Sequence, residues 1–329
     1  MPELIRMGGI HLVYGSTPVL CGADFQLNSG EIDALIGERR CGKSSLMRIL
    51  AGEIQPQKGT IMLEGKAVNF SHPHGAVNAG IGMVHQNLQI LPNLNAVENI
   101  FTRTLPKIWG TFHKYARFVQ DARTILARIG QGGINLAAAV GTLPIAQQQA
   151  VEIARIIALN PRVVILDQIA ERLNETEMER LIRLMQEFRN EGRGIIYITE
   201  NVNEVFEVAD RVTVLEDGYR KSTEDVADLD RLKLVRMAFN LALDQQKSVA
   251  PVMLRQFNES VIRDLPVGVL IFDQKDRLFH ANEEAERLCG RTQLELSGLS
   301  LESILDVNVG SHAADILNAI DQSIKRVWE

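Results

Sequence analysis

The segment from Gly37 to Ser44 reads GERRCGKS and follows the pattern G-x-x-x-x-G-K-[ST] of a phosphate-binding loop. In such a loop, glycines allow successive backbone N–H groups to turn towards a phosphate, Lys43 reaches the terminal phosphates, and the Ser44 hydroxyl can bind Mg²⁺. A short apolar run at 32–36 comes directly before the loop, and residues 45–50 after it show helical spacing. The mechanism requires this order of strand, loop and helix, so the sequence predicts a nucleotide site in an α/β fold.

Two arginines set this loop apart, since Arg39 and Arg40 stand where such loops often carry a further glycine. Their guanidinium groups could add phosphate contacts, and their bulk could instead strain the turn. The sequence alone leaves both interpretations open. The residues predicted to bind the nucleotide in this segment are Gly37, Glu38, Arg39, Arg40, Cys41, Gly42, Lys43, Ser44 and Ser45.

Composition limits the class of protein and its partners. At 329 residues, with 46% hydrophobic and 23% charged residues, the chain is long enough for about two globular domains. A formal charge of −6 offers no basic footprint, so we expect no nucleic-acid partner. The three cysteines are widely spaced and form no C-x-x-C pair, which is typical of reduced thiols in the cytoplasm. We find neither an apolar signal core nor an uncharged apolar run of about 18 residues, so the sequence predicts a cytoplasmic protein that does not span a membrane.

An aspartate ends a second predicted strand. Residues 163–167 form a β-branched apolar run that ends in Asp167, residues 194–199 form another, and the stretch 175–189 between them is amphipathic. A strand, helix, strand order implies parallel pairing, as in an α/β core. Because phosphate-loop proteins place a second metal-binding acid at the end of such a strand, Asp167 is a candidate for Mg²⁺ coordination, directly or through water. A solvated aspartate at a strand end is the alternative.

Further motifs stand in a fixed order around these two. They are Tyr14-Gly15, 83–86 (MVHQ), 96–101 (AVENIF), 143–149 (LPIAQQQ) with 151–155 (VEIAR), and 209–218 (ADRVTVLEDG). Together with the phosphate loop they make residues 4–220 resemble the ATP-binding cassettes of ABC transporters, and within these the cassettes of sugar importers. The resemblance implies a P-loop NTPase fold with a mixed sheet and a helical subdomain.

The same resemblance implies ligands and partners. It implies that Tyr14 stacks on adenine, that Gln86 binds Mg²⁺ together with Ser44 and Asp167, and that ATP lies between two cassettes arranged head to tail. The dimer is then a homodimer or a pair with another cassette. A membrane permease is a further possible partner, which would place the protein at the inner face of the membrane.

Four elements depart from the pattern of the family, and one of them is the stretch at 169–174 (IAERLN). After the aspartate the family has a glutamate that polarises the attacking water, and this chain has Gln168. A neutral amide can orient water but cannot accept its proton, so a general-base contribution of roughly 10²–10⁴-fold is predicted to be lost. Glu200 stands in place of the switch histidine, where a carboxylate repels phosphate oxygens, and Pro144 replaces the serine of the signature stretch. Compensation by neighbouring groups, such as another acid that serves as base, is the alternative.

The pattern changes in the last third of the chain. Residues 224–265 are helical in character, a strand is predicted at 265–273 and another at 277–280, and a helix begins at Asn282. This hairpin with its Asn-led helix resembles the opening of a PAS sensor domain. A long helix is expected to follow, up to the final residues.

We therefore predict a nucleotide-binding domain at 1–222, a helical linker at 223–257 and an incomplete α+β PAS-like domain at 258–329, as part of a longer polypeptide. The favoured hypothesis is a cytoplasmic regulatory module that binds ATP with Mg²⁺, hydrolyses it weakly at best, and acts through the PAS domain on an output domain such as a histidine kinase. The alternative is an ATP-hydrolysing energy-coupling subunit of a sugar-type ABC importer.

Overall fold

Strands of alternating side-chain direction build the first part of the molecule, because successive residues of a strand point to opposite faces. The computed structural model describes residues 2–103, 112–238, 270–272, 277–300 and 303–304. The chain divides into two units, residues 1–241 and 242–329. The strands of the first unit are β1 (Glu3–Tyr14), β2 (Thr17–Asn28), β3 (Ile32–Ile36), β4 (Lys58–Leu63), β5 (Lys66–Val68), β6 (Ile81–Val84), β7 (Val163–Asp167), β8 (Gly194–Ile198), β9 (Arg211–Glu216) and β10 (Tyr219–Asp225).

The helices of the first unit lie between its strands along the chain and after the last of them. They are α1 (Lys43–Leu50), α2 (Pro73–Asn78), α3 (Ala96–Ile100), α4 (Phe112–Arg128), α5 (Ile145–Ala158), α6 (Glu175–Asn190), α7 (Val202–Val208) and α8 (Arg231–Ala238), with short 3₁₀ helices at Val140–Thr142, Ile169–Arg172 and Val226–Asp228. At the start of α6, Asn174 accepts a hydrogen bond from the Glu177 backbone N–H at 2.9 Å, and the Glu177 carboxylate accepts one from the Asn174 N–H at 3.1 Å. This reciprocal capping box satisfies two N–H groups that would otherwise lack partners.

A six-stranded sheet with the order β10-β9-β3-β8-β7-β6 lies at the centre of the described part of this unit. β3 pairs in parallel with both β8 and β9, and β7 pairs in parallel with both β8 and β6. β10 pairs with β9 in antiparallel fashion, which makes the sheet mixed, as the family resemblance implied. The carboxyl ends of β3, β6, β7 and β8 therefore meet at one edge.

Each face of this sheet contributes to its own core. Along β7, Val163 and Ile165 enter one apolar cluster, while Val164 and Leu166 enter the other. The first cluster also contains residues of α1 and of a second, antiparallel sheet with the order β2-β1-β4-β5. The second cluster contains residues of α3, α4, α5 and α6. Both faces of the central sheet are thus covered, which explains why every residue of β3, β6, β7 and β8 is buried.

The segment that the sequence assigned to a helical linker begins differently in the structure. Glu224 and Asp225 are the last residues of β10, because they pair with Val212 and Arg211 on β9. A helix follows only at α8, whose Leu234 and Val235 are buried. The rest of the predicted linker, from residue 239 onwards, lies outside the described residues.

In the second unit the described residues form a hairpin followed by two short helices. β11 (Leu270–Phe272) pairs with β12 (Leu278–Ala281) in antiparallel fashion. Helix α9 (Glu283–Cys289) begins as predicted after Asn282, whose side chain accepts a hydrogen bond from the Ala285 N–H at 2.9 Å. Helix α10 (Gln293–Leu296) follows, and the small core consists of Leu278, Ala281, Ala285, Leu296 and Ile304. The long helix predicted near the end of the chain lies outside the described residues.

Candidate nucleotide-binding site

Most of the predicted site residues follow strands of the central sheet at its carboxyl edge. The phosphate loop at 37–42 follows β3, and Gln168 follows β7. Glu200 lies two residues beyond β8, and Gln86 lies two residues beyond β6. In an open sheet with parallel strands, ligands bind in the crevice beyond these ends. The topology of the sheet thus gathers residues that are up to 163 positions apart, from Gly37 to Glu200.

The loop backbone takes conformations that only some residues tolerate. Gly37 has a φ of 147°, and a Cβ at this position would collide with the carbonyl oxygen of Leu215. Gly42 has a φ of 106°, and its Cβ would lie 2.6 Å from Leu20 Cδ2. Arg40 also has a positive φ, 67°, which is unusual for a residue with a side chain. Of the two interpretations of the arginines, strain in the turn therefore applies to Arg40.

Lys43 is buried in the loop with its ammonium group held by the backbone. Its side chain is 5% exposed. Lys43 Nζ donates hydrogen bonds to the carbonyl oxygens of Gly37 at 2.7 Å and Glu38 at 2.9 Å. The Cys41 thiol lies 3.9 Å from the same ammonium group, and burial raises its pKa, so it is present as a neutral thiol at pH 7. The cation of the loop is therefore fixed in place without a carboxylate in direct hydrogen-bond contact.

A hydroxyl and a carboxylate meet below the loop. Ser44 Oγ donates a hydrogen bond to Asp167 Oδ1 at 3.0 Å. Asp167 Oδ2 is buried and has no hydrogen-bond partner among the described residues. Burial raises the pKa of this carboxyl group, against the opposing effects of the Ser44 hydrogen bond and of nearby Arg48, His85 and Lys43. An oxygen without a partner, beside a second oxygen ligand, is a donor set that fits Mg²⁺.

The two altered positions contact each other. Gln168 Nε2 donates a hydrogen bond to Glu200 Oε1 at 3.0 Å, and Arg39 Nε donates one to Glu200 Oε2 at 2.9 Å. Glu200 Oε1 also lies 4.0 Å from Lys43 Nζ. Gln168 itself has a left-handed backbone with a φ of 50°, which turns the chain after β7. Both oxygens of the Glu200 carboxylate are thus engaged, and the group faces the cation of the loop.

The remaining predicted residues lie on other elements or at their ends. Tyr14 is the last residue of β1, pairs with Thr17 across the hairpin and is 47% exposed. Ser45 lies in the first turn of α1. Within the described part of the chain, the hydrogen bonds and ion pairs of the site join six residues, namely Arg39, Lys43, Ser44, Asp167, Gln168 and Glu200. The side chains of Tyr14, Ser45 and Gln86 take no part in these contacts.

Pro144 is the N-cap residue of α5, the helix that begins within the signature stretch. It is the residue before α5, and its carbonyl oxygen accepts hydrogen bonds from the N–H groups of Gln147 and Gln148. Ile145, which begins the helix, is 56% exposed. The proline ring fixes φ and has no N–H, so this end of the helix presents an apolar surface.

A charged network under residues 85–89 was not predicted from the sequence. The Glu152 carboxylate on α5 is fully buried, accepts a hydrogen bond from the Gln89 N–H at 3.2 Å and pairs with Arg155 at 3.3 Å. Arg155 also donates to the carbonyl oxygen of Gln89. His85 pairs with Glu53 from beyond α1. The three-residue spacing of Glu152 and Arg155 on one helix face is the signal that could have revealed part of this network.

A second feature that sequence reasoning missed is a buried acid in β3, four residues before the loop. Asp33 is fully buried; Thr213 donates a hydrogen bond to its Oδ2 at 3.1 Å, while Oδ1 has no partner among the described residues. Burial and the nearby Glu31 carboxylate raise the pKa of Asp33 to about 8, although Arg211 and Thr213 act in the opposite direction. Asp33 is therefore mainly protonated at pH 7.

Comparison with known proteins gives this geometry a family. Residues 20–171 match the family model described as ABC transporter, and residues 256–324 match a model described as PAS domain. The chain therefore contains an ABC transporter ATP-binding domain and a PAS domain. The cassette fold is confirmed by solved structures that share it at low sequence identity. An ATP-binding cassette of an ABC transporter in its ADP conformation has a TM-score of 0.59 at 19% identity and covers 71% of this chain and 98% of the other. A nucleotide-free cassette has a TM-score of 0.61 at 21% identity and covers 71% and 94%.

Relatives with closer sequences carry sugar-import names. The ribose import ATP-binding protein RbsA of Chelativorans sp. (strain BNC1) is 38% identical over 276 residues, which is 83% of this chain and 53% of the relative. RbsA of Chromobacterium violaceum is 40% identical over 233 residues, which is 71% and 46%. This chain spans about half the length of the curated relatives that it matches. Among its described residues, the cassette and the PAS unit contain no helix that is both long and apolar enough to cross a membrane.

Proposed function

We propose that this chain is an ATP-binding cassette of a sugar-importer type of assembly that binds ATP with Mg²⁺ and cleaves it slowly at this site. One observation carries the proposal. Of the groups expected to hold phosphate and metal, Lys43 and Asp167 are buried, and the half-buried Ser44 donates a hydrogen bond to Asp167. The residue after Asp167 is an amide tied to the carboxylate of Glu200.

The residues of the cassette divide the work of binding. The loop backbone from Gly37 to Gly42 turns its N–H groups towards the phosphates, and Lys43 offsets their charge. Ser44 and Asp167 would hold Mg²⁺, and Gln86 adds an amide oxygen at the same sheet edge. When bound, Mg²⁺ supplies positive charge that neutralises the phosphate oxygens. Tyr14 offers its exposed ring to the adenine base.

Cleavage lacks a free base at this site. Gln168 can orient a water molecule through its amide but cannot take up the proton. Glu200 is an acid in contact with Gln168 that could compensate, yet both of its oxygens already accept hydrogen bonds, from Gln168 and Arg39. A general-base contribution of roughly 10²–10⁴-fold is therefore absent.

The names of the relatives support the importer interpretation better than the regulatory one. In the importer assembly the cassette pairs head to tail with a second cassette, acts on a membrane permease, and is located on the cytoplasmic side of the membrane. A second cassette with a complete set of catalytic groups would then carry most of the turnover.

The PAS domain supports a second candidate function. In that hypothesis the cassette binds ATP, and its state passes through the segment at 223–257 to the PAS domain and to an output domain such as a histidine kinase. Binding alone can shift such an equilibrium if ATP prefers one state.

Affinity and turnover of the purified chain test the proposal. We expect MgATP to bind in the micromolar range by calorimetry, with turnover close to the background of a Lys43→Ala variant. Robust Mg²⁺-dependent hydrolysis that disappears in Lys43→Ala would contradict slow cleavage. Absence of any nucleotide binding would contradict the proposal as a whole.

A different experiment separates the two candidate functions. Affinity purification of the chain from its native membranes is expected to recover a permease if the cassette is an importer subunit. Recovery of a kinase or another signalling protein, without a permease, would favour the regulatory candidate.

A further inference from the structure

We propose that Glu200 makes this site selective for nucleoside diphosphates over nucleoside triphosphates. The inference rests on the proposed function, because it assumes that the loop binds an adenine nucleotide. It goes beyond that function by naming the residue that sets the ligand preference and the direction of the preference.

The position of Glu200 is the first step of the argument. Its carboxylate is the one acid within 4.0 Å of Lys43 Nζ among the described residues. Lys43 is the group of the loop that reaches the terminal phosphates. A third phosphate held by Lys43 would therefore place its oxygens beside a carboxylate of the same sign. The terminal phosphate of a diphosphate, cradled by the loop backbone, leaves that space to Glu200.

The hydrogen bonds of Glu200 are the second step. The carboxylate accepts hydrogen bonds from Arg39 at 2.9 Å and from Gln168 at 3.0 Å. Its two oxygens are thus bound by an arginine and an amide, as two oxygens of a phosphate could be. Its side chain is only 25% exposed. To admit a third phosphate, Glu200 must either leave both partners or remain close to a like charge. Both responses weaken the binding of a triphosphate and leave that of a diphosphate unchanged.

Arg39 does not remove this bias. Its side chain is 84% exposed, and an exposed ion pair contributes little because water competes for it. If Arg39 turned to a third phosphate, Glu200 would lose a neutralising partner at the same moment. The cation therefore cannot serve both anions at full strength.

Calorimetric titration of the full chain with MgADP and MgATP tests the inference. We expect MgADP to bind at least about tenfold more tightly than MgATP. Glu200→Gln keeps the size of the side chain and removes its charge, so it is expected to tighten MgATP about tenfold and to change MgADP less than about threefold. Glu171→Gln is the matched control, because this exposed acid near Arg39 makes no contact with Lys43 among the described residues, and it should change neither affinity by more than about twofold.

A salt series provides a readout without any substitution. Repulsion between partly exposed charges is screened by salt, so the preference for MgADP should shrink between low and high ionic strength. Equal or tighter binding of MgATP to the native chain would overturn the inference, as would a Glu200→Gln variant that shifts both nucleotides alike. If neither nucleotide binds, the proposed function fails and the inference fails with it. If both bind without a bias, only the inference fails.

Discussion

The phosphate-holding part of the site and the part that faces the end of the phosphate chain are built differently. Lys43 and Asp167 are 5% and 1% exposed, and their partners are the loop backbone and Ser44. Arg39 and Glu200 are 84% and 25% exposed and rely on an ion pair. The first part belongs to the sheet edge and its core, whereas the second part is a set of side chains at its rim. Holding a nucleotide is therefore coupled to the fold, while cleaving it depends on a few replaceable groups.

The largest effect should come from restoring the groups that cleave ATP, at positions 168 and 200. Gln168→Glu alone would place two carboxylates at the 3.0 Å contact with Glu200, so we expect it to gain little. The double variant Gln168→Glu with Glu200→His removes that clash and supplies a base, and its turnover of ATP should rise by about 10²–10⁴-fold. Steady-state phosphate release measures this. A double variant as slow as the native chain would show that the missing base does not limit cleavage.

The next effect concerns the phosphate-holding part of the site. Lys43→Ala removes the buried ammonium group of the loop, and the affinity for both MgADP and MgATP should fall by about 10²-fold. Calorimetry on the variant measures the loss. Lys66→Ala, at an exposed position on β5, is the matched control and should bind like the native chain. A Lys43→Ala variant that still binds normally would place the nucleotide elsewhere.

A smaller effect is the pH dependence of the stability of the fold, which we expect from Asp33 in β3, the strand before the phosphate loop. Its pKa is raised to about 8 in the folded chain, against about 3.9 when unfolded. A raised pKa means that the stability contribution is fully present below about pH 4 and is lost as the pH rises towards 8, by about 1.4 kcal/mol per pH unit between about pH 5 and 7.5.

Urea unfolding at pH 6 and pH 7.5 measures this dependence, for which we expect a loss of about 2 kcal/mol in the native chain. Asp33→Asn should remove that part of the slope, because an amide does not titrate. The residues that face Asp33, namely Glu31, Arg211 and Thr213, stay unchanged in this variant. An identical slope in both proteins would show that Asp33 is ionised at neutral pH.

The smallest effect concerns the end of β8, which comes shortly before Glu200. The Tyr197 hydroxyl donates a hydrogen bond to Glu204 at 2.7 Å, and Thr199 donates to the same carboxylate at 2.6 Å. Tyr197→Phe should lower the free energy of unfolding by about 1 kcal/mol, since Thr199 still satisfies the carboxylate. Nucleotide affinity should not change. A loss of affinity would show that this bond positions Glu200.

Much of the phosphate-holding part of the site could be predicted, because the sequence patterns that indicate it are local. The loop pattern coincides with the phosphate loop and the apolar run at 163–167 with β7, while the run predicted at 194–199 extends one residue beyond the end of β8. The helix that follows the loop begins at Lys43, two residues before the predicted one. Short-range periodicity and loop chemistry decide these elements, so they can be read without knowledge of the fold.

The contacts around Glu200 could not be predicted, because they join residues far apart in the sequence. Nothing local indicates that Arg39 pairs with Glu200, 161 positions later, or that Gln168 donates to the same carboxylate. The ionisation of Asp33 likewise depends on burial between β8 and β9, which only the assembled sheet creates. The strand end at 223–225 was assigned to a linker because its polar residues lack an apolar alternation.

Single-turnover cleavage of ATP by the native chain, in excess over nucleotide and with Mg²⁺, tests the central claim most directly. The fraction of ATP that is bound and the fraction that is cleaved are measured in the same sample over time. We predict that ATP is bound within the first time points and remains uncleaved for many minutes, while the double variant at Gln168 and Glu200 converts it to ADP. Rapid conversion of bound ATP by the native chain would contradict the account.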